Sequence, residues 1–233
     1  MAEASGRPKP RDIPADVRVR VRIFLGLLIG LLVTYALIIG IGGVVLGSLA
    51  RILLLGLILA VSLGIRRTSR GPALVVVGLV AAAIVATALA TVFAGPTVLS
   101  ILTASATILL VSAMAALIVR FLVGVARVDF ATVLGVLCIY LLLALFFASL
   151  HQIGGALVSG YLLGTAQPPT AGDCLYFSVI TMATVGYGDI IPGTNLARML
   201  AVLEALVGQL YLVSIVAAVV GGWRARRQGA RRG

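Results

Sequence analysis

The chain has 233 residues, of which 61% are hydrophobic and only 11% are charged. Its mean hydropathy is +1.21. Soluble domains carry roughly 25% charged residues, so an ordinary soluble domain and a disordered chain are both excluded. Eighteen basic and seven acidic residues give a net charge of +11. The basic residues lie in short runs between long uncharged stretches, so we interpret them as membrane-topology signals and expect no nucleic-acid partner.

Long uncharged stretches predict an all-α membrane protein with six transmembrane helices, because about 20 apolar residues cross a bilayer. The second span is the weakest, since it has to contain Arg51 about two turns inside, from where an arginine side chain can snorkel to the interface. In chain order the predicted spans cover approximately residues 23–42, 44–65, the two halves of 71–119, 130–150 and 195–223.

The distribution of arginine and lysine predicts the orientation of these spans. Basic residues occur before residue 23, at 66–70, at 120–127 and after residue 223. All four places fall on one side if the spans alternate, and that side is expected to be the cytoplasm. We therefore predict a multi-pass protein of the plasma membrane with both termini cytoplasmic.

A shorter apolar segment lies between the fifth and sixth predicted spans. Residues 174–183 predict a short helix that can enter the membrane but not cross it, with Asp173 as its N-cap. Such a helix has to be covered by protein. Gly186 and Gly188 follow it, and glycine tolerates positive φ. Alternate glycines therefore allow successive carbonyl groups to point toward one axis.

The run Thr184-Val185-Gly186-Tyr187-Gly188-Asp189, placed after this helix and between two spans, resembles the selectivity filter of the potassium channel family. The resemblance implies that the carbonyls of Thr184, Val185, Gly186 and Tyr187, with the Thr184 hydroxyl, bind K⁺. It places Asp189 at the outer mouth, with Gly188 and Asp189 among the residues that support the filter. One chain supplies one filter loop and a filter needs four, so the implied assembly is a homotetramer.

The resemblance also assigns supporting residues around the filter. Tyr176 and Phe177 occupy the positions of an aromatic pair that supports the filter, and we expect the Tyr176 hydroxyl to bond the Asp189 carboxylate. The last span resembles the inner helix of the same family, with Gly208 as a hinge or as a close-packing position. The residues implied to line its cavity are Gln209, Leu212 and Val216.

Glu204 is the acidic residue inside a predicted span, which makes it a functional candidate. It lies about 140° around the helix from Gln209. We therefore expect Glu204 to face away from the cavity, behind the filter, hydrogen-bonded or protonated, in a structural or a gating role. His151 is interpreted as an interfacial residue. Cys138 and Cys174 are expected to be free, buried thiols.

These features predict four regions: a basic cytoplasmic tail (1–22), a four-helix transmembrane domain (23–123), a potassium channel pore domain (128–223) with a re-entrant pore helix, and a second basic tail (224–233). Residues 97–119 carry no arginine or lysine. The fourth span therefore lacks the basic residues of a voltage sensor, and we expect shallow voltage dependence.

The predicted function is passive, K⁺-selective conduction, with K⁺ as the transported ion, membrane lipids as partners, no cofactor and no enzymatic activity. Three alternatives stay open at this point. They are a voltage-gated channel with an unconventional sensor, a K⁺ transporter subunit, and a non-conducting binding protein in which the first four spans carry the function.

Overall fold

The computed structural model describes residues 15–40, 78, 95–123 and 129–229. This part of the chain is predominantly helical, as predicted, with one small two-stranded antiparallel sheet in addition. The elements are α1 (Ala15–Gly40), α2 (Pro96–Val123), α3 (Phe130–Leu157), β1 (Leu162–Leu163), α4 (Ala171–Met182), β2 (Ile191–Pro192) and α5 (Asn195–Gly229).

Four of the described helices are long and apolar enough to cross a membrane: Val17–Gly40, Pro96–Arg120, Phe130–Leu157 and Asn195–Ile215. They correspond to the first, fourth, fifth and sixth predicted spans. The predicted second and third spans, and Arg51 with them, lie outside the described residues. The fourth span is α2, whose one basic residue, Arg120, lies in the last turn.

Helix α3 continues further than predicted. The expected end was near residue 150, but the helix ends at Leu157. Two glycines in its last turns let neighbouring rings approach the helix backbone closely. A Cβ at Gly154 would lie 2.4 Å from the Tyr161 ring, and one at Gly155 would lie 2.4 Å from Pro169.

Helix α4 begins three residues earlier than predicted, so the assignment of Asp173 as its N-cap was wrong. Thr170 is the N-cap, and its hydroxyl accepts a hydrogen bond from the Asp173 backbone N–H at 3.1 Å. The Asp173 carboxylate accepts a bond from the Thr170 backbone N–H at 2.8 Å. This reciprocal capping box satisfies two donors that the first turn leaves without helical partners.

Helix α3 is the centre of the packing, because it contacts α1, α2, α4 and α5. Its seam with α1 and α2 is apolar, and Gly135 brings the α3 backbone close to the side chains of Phe24 and Leu122. At one end of α1, Arg20 lies 3.6 Å from Asp129, the N-cap of α3. In a lipid environment such seams are held by close packing and by hydrogen bonds rather than by hydrophobic burial.

Helix α5 has one buried face and one broad exposed face. The buried face contains Ala197, Glu204 and Gly208, and it packs on α3 and α4. The Tyr211 hydroxyl donates to the Val136 carbonyl at 2.7 Å and ties α5 to α3. Large exposed apolar side chains cover the other face: Leu196, Met199, Val202, Leu203, Leu206, Leu210 and Val213.

Candidate functional site: a carbonyl loop and a buried polar cluster behind it

The loop from Thr184 to Asp189 follows α4 and is exposed in the single subunit. Its backbone has positive φ at every second residue: 57° at Thr184, 52° at Gly186 and 80° at Gly188. The positive φ predicted for the two glycines is therefore confirmed. Thr184 was not predicted to share it, because the left-handed region costs a residue with a Cβ more than it costs glycine.

The loop is anchored directly on the C-terminal turn of α4. The Val185 and Gly186 N–H groups donate to the Ile180 carbonyl at 2.9 and 3.3 Å. The Thr184 N–H donates to the Thr181 carbonyl at 3.1 Å. The carbonyls at a helix C-terminus have no partners within the helix. Here they fix the position of the loop, so the end of α4 and the start of the loop form one unit.

The other end of the loop is tied back to α4 by the Tyr176 side chain. The Tyr176 hydroxyl donates to the Asp189 carboxylate at 2.8 Å, which confirms the predicted bond. Phe177 lies on a different side of the helix. Its side chain is buried, and its ring stands edge-on to His151 with the centroids 5.0 Å apart. The two aromatic residues therefore contact different structures: one the loop, the other the core behind it.

Glu204 and His151 form a fully buried pair. The Glu204 Oε2 lies 3.0 Å from the His151 Nε2, and both side chains have an exposed fraction of 0%. The prediction that Glu204 is hydrogen-bonded and turned away from Gln209 is confirmed, because Gln209 is exposed. His151 was interpreted as an interfacial residue, and its side chain is fully buried within the protein. The extension of α3 to Leu157 carries His151 into the packed region between α3, α4 and α5.

Tyr161 completes the cluster from the connection after α3. Its hydroxyl lies 3.2 Å from the His151 Nδ1. Burial, with a smaller contribution from the nearby Cys174 and Glu204, raises the pKa of the Tyr161 phenol to about 12. The phenol is therefore protonated across the neutral range. Ser178 of α4 lies close to Glu204 and is buried as well.

Sequence reasoning missed Tyr161 and Ser178, and it missed the pairing of His151 with Glu204. The two members of the pair are 53 positions apart, so no local spacing connects them. A usable signal did exist in composition, because the chain has one histidine and a single acidic residue inside a predicted span. Polar groups in an apolar environment need partners, which favours their meeting.

Gly208 lies against the end of α4. A Cβ there would be 3.3 Å from the Cα, Cβ and Cγ atoms of Met182. The close-packing interpretation of Gly208 is thus confirmed, and α5 continues unbroken through it. The hinge stays a prediction. Of the predicted cavity residues, Leu212 is half-buried, while Val216 lies on α5 with its side chain outside the described part.

Both cysteines are free and buried, as predicted. Cys138 lies in α3, with its sulfur 3.7 Å from the Phe24 carbonyl oxygen of α1. Cys174 lies in the first turns of α4.

A family profile described as Ion channel matches residues 135–223. The chain is 48% identical over 56 residues to Inward rectifier potassium channel Kirbac3.1 of Paramagnetospirillum magnetotacticum, covering 24% of this chain and 19% of that protein. It is 36% identical over 92 residues to Protein LctB of Bacillus caldotenax, covering 36% of this chain and 66% of that protein.

A third relative is Probable potassium channel protein 2 of Methanocaldococcus jannaschii, 42% identical over 64 residues, covering 26% of this chain and 19% of that protein. The matched segments thus span less than two thirds of the length of each of these relatives. Residues 135–223 therefore match the ion channel family, and part of the chain is similar to potassium channels.

Proposed function

We propose that this protein is the subunit of a homotetrameric, K⁺-selective channel that conducts passively across the plasma membrane. The observation that carries the proposal is the loop from Thr184 to Asp189, with positive φ at alternate residues and with both ends fixed to α4. In this proposal α4 is the re-entrant pore helix, and the loop is the selectivity filter.

Selectivity would arise from the backbone of the loop. Carbonyl oxygens of Thr184, Val185, Gly186 and Tyr187 from four subunits would replace the hydration shell of K⁺, with the Thr184 hydroxyl at the inner end. Helix α4 ends where the loop begins, so the negative end of its dipole would favour a cation below the filter. No cofactor enters this proposal, since K⁺ is the transported ion.

Assembly of four subunits is supported by the surface of α5. Eight large apolar side chains are exposed on α5 over residues 196–213, the seven named above and Val207, and one chain supplies only one loop. In a tetramer this face would be shared between contacts with neighbouring subunits and the cavity, where Gln209, Leu212 and Val216 are proposed to lie. Six spans, with both termini cytoplasmic, complete the proposed topology.

The proposal is tested with purified protein in liposomes that carry a K⁺ or a Na⁺ gradient. We expect K⁺ flux far above Na⁺ flux, and a particle with the mass of four subunits in mild detergent. Equal permeability to the two ions would contradict selectivity, and a monomeric or dimeric particle would contradict the assembly. Protein-free liposomes provide the background rate.

A further inference from the structure

We propose that the buried cluster of Tyr161, His151 and Glu204 is a proton-binding site that controls conduction through the packing behind the filter. This inference rests on the proposed channel function. The cluster joins three elements around α4: His151 belongs to α3, Tyr161 to the connection before β1, and Glu204 to α5. Phe177 and Ser178 are the adjoining buried residues of α4.

The geometry accommodates a pair with no net charge in two ways. In the first, an imidazolium donates from Nε2 to the Glu204 carboxylate and from Nδ1 to the Tyr161 oxygen. In the second, a protonated Glu204 carboxyl donates to Nε2 of a neutral ring, and Nδ1–H donates to the Tyr161 oxygen. The second form places no charge on either side chain, which suits a site with an exposed fraction of 0%, since a buried charge is costly.

The surroundings offer no countercharge for a second proton. In the described part of the chain, four further titratable groups interact electrostatically with Glu204. They are Tyr35 of α1, Tyr140 of α3, Cys174 of α4, and Tyr161 in the connection before β1. Phenols and thiols are neutral in the acidic and neutral range. Arg120, the one charged residue of α2, lies in its last turn.

A second proton would therefore leave a net positive charge inside the packed structure. An arrangement that admits water to the pair would bind that proton more readily, so falling pH favours the looser arrangement by linkage. The pair lies against α4, which carries the filter loop on its C-terminal turn. A looser contact between the pair and α4 would support the filter less, so we expect K⁺ conduction to fall in acid.

Two buried polar atoms next to the His151–Glu204 bond provide an alternative contact for such a rearrangement. Glu204 Oε1 and Ser178 Oγ are both buried, and neither has a hydrogen-bond partner in the described part of the chain. Side-chain rotation in Glu204 would exchange its bond with His151 for one with Ser178. The cluster thus contains an alternative partner for Glu204 once His151 carries its own charge.

The test uses the fact that the chain has a single histidine, so the ring nitrogens of His151 can be followed by NMR without any substitution. After removal of any purification tag, the ring ¹⁵N signals and the K⁺ flux of the wild-type channel are measured between about pH 5 and 8, the range of histidine titration. We expect one transition in the ring signals and a fall in flux of at least about tenfold at the same midpoint, which corresponds to one pKa unit of coupling.

Three variants separate this site from other titrating groups. His151→Gln keeps a hydrogen-bonding side chain and should abolish the acid response. Glu204→Gln removes the second titratable group of the pair but keeps a neutral side chain that can donate to Nε2, so it should retain an acid response. Asp173→Asn, on the same helix as Ser178 but in its first turn, removes a titratable carboxylate and keeps an oxygen that can accept the capping bond from Thr170. It is the matched control and should respond to acid as the wild type does.

The inference is overturned if the wild-type flux does not change with pH, if its midpoint differs from that of the ring, or if His151→Gln keeps the response. Should either variant fail to fold, the coincidence of the two wild-type midpoints still decides the matter. A wild-type protein that conducts at no pH contradicts the proposed function and this inference together. A conducting protein with a pH-independent flux contradicts the inference alone.

Discussion

Residues 129–229, the proposed pore region, and the front helices α1 and α2 are held in place by different kinds of contact. Residues 129–229 depend on specific contacts and backbone conformations at defined positions. These are two capping boxes, glycines in the left-handed region, a tyrosine–aspartate hydrogen bond and a buried histidine–glutamate pair. The front helices pack mainly through apolar side chains, with the Tyr35 hydroxyl bonded to the Leu141 carbonyl as a polar addition.

This difference shows where a sequence carries functional information. A contact of this kind requires a specific residue type, so a substitution at its position changes stability or conduction. An apolar seam in lipid accepts many side chains of similar volume. Within the described chain, the family match also begins after the front helices, at residue 135. We therefore expect substitutions in the pore region to change conduction, and comparable substitutions in the front helices to change little.

The largest effect is expected for Gly186→Ala in the filter loop. Gly186 has a φ of 52°, and a Cβ in the left-handed region costs about 1–2 kcal/mol per residue. In a homotetramer the cost applies to four subunits, about 4–8 kcal/mol in total. We expect K⁺ flux in liposomes to be abolished while the tetramer persists in detergent. Flux near the wild-type level would contradict the assignment of this loop as the filter.

The second effect is expected for Gly154→Ala in α3. The new Cβ would lie 2.4 Å from the fully buried Tyr161 ring, which has to move away from His151. Overpacking of this kind costs about 1–3 kcal/mol, so the thermal unfolding temperature should fall.

Gly26→Ala in α1 is the matched control, because no described atom lies within 4 Å of its Cβ. Alanine is favoured over glycine in a helix by about 1 kcal/mol. The control should be neutral or slightly more stable. An equal loss of stability in both variants would break the distinction between the two regions.

A smaller effect is expected for Tyr176→Phe, which removes only the bond to Asp189. The side chain keeps its ring, but the outer end of the loop loses its tie to α4. We expect a several-fold lower K⁺ flux with an unchanged fold. Phe177→Tyr leaves the hydrogen bond between Tyr176 and Asp189 in place and serves as a comparison. It would put a hydroxyl into the buried contact with His151, and its main effect should be on stability.

The smallest effect is expected from voltage. One charge that crosses the full field contributes about 2.3 kcal/mol per 100 mV, and α2 carries no charge before Arg120. Open probability in single-channel recordings between about −100 and +100 mV should therefore change only shallowly. A steep sigmoid that requires several gating charges per subunit would give the front helices a sensing role.

Much of the pore region could be predicted because its signals are local in sequence. The glycines at 186 and 188, the apolar helix before them and the bond from Tyr176 to Asp189 follow from a motif of fixed spacing. The N-cap of α4 was misplaced by three residues, because Thr170 and Asp173 are both good caps and the capping box uses them together.

What could not be predicted depends on contacts between distant segments. His151 lies on the part of α3 that continues to Leu157, and the close approaches of Tyr161 and Pro169 at Gly154 and Gly155 are not visible in any periodicity. Glu204 was correctly turned away from Gln209 by helix geometry, but its partner lies on another helix. Long-range pairs of this kind require the three-dimensional structure.

The most direct test of the account is the reversal potential of the purified channel in a planar bilayer with K⁺ on one side and Na⁺ on the other. The account predicts a reversal potential displaced strongly toward the K⁺ equilibrium potential, and loss of the current in Gly186→Ala. A reversal potential near zero, with current that persists in that variant, would contradict the claim that the loop from Thr184 to Asp189 selects K⁺.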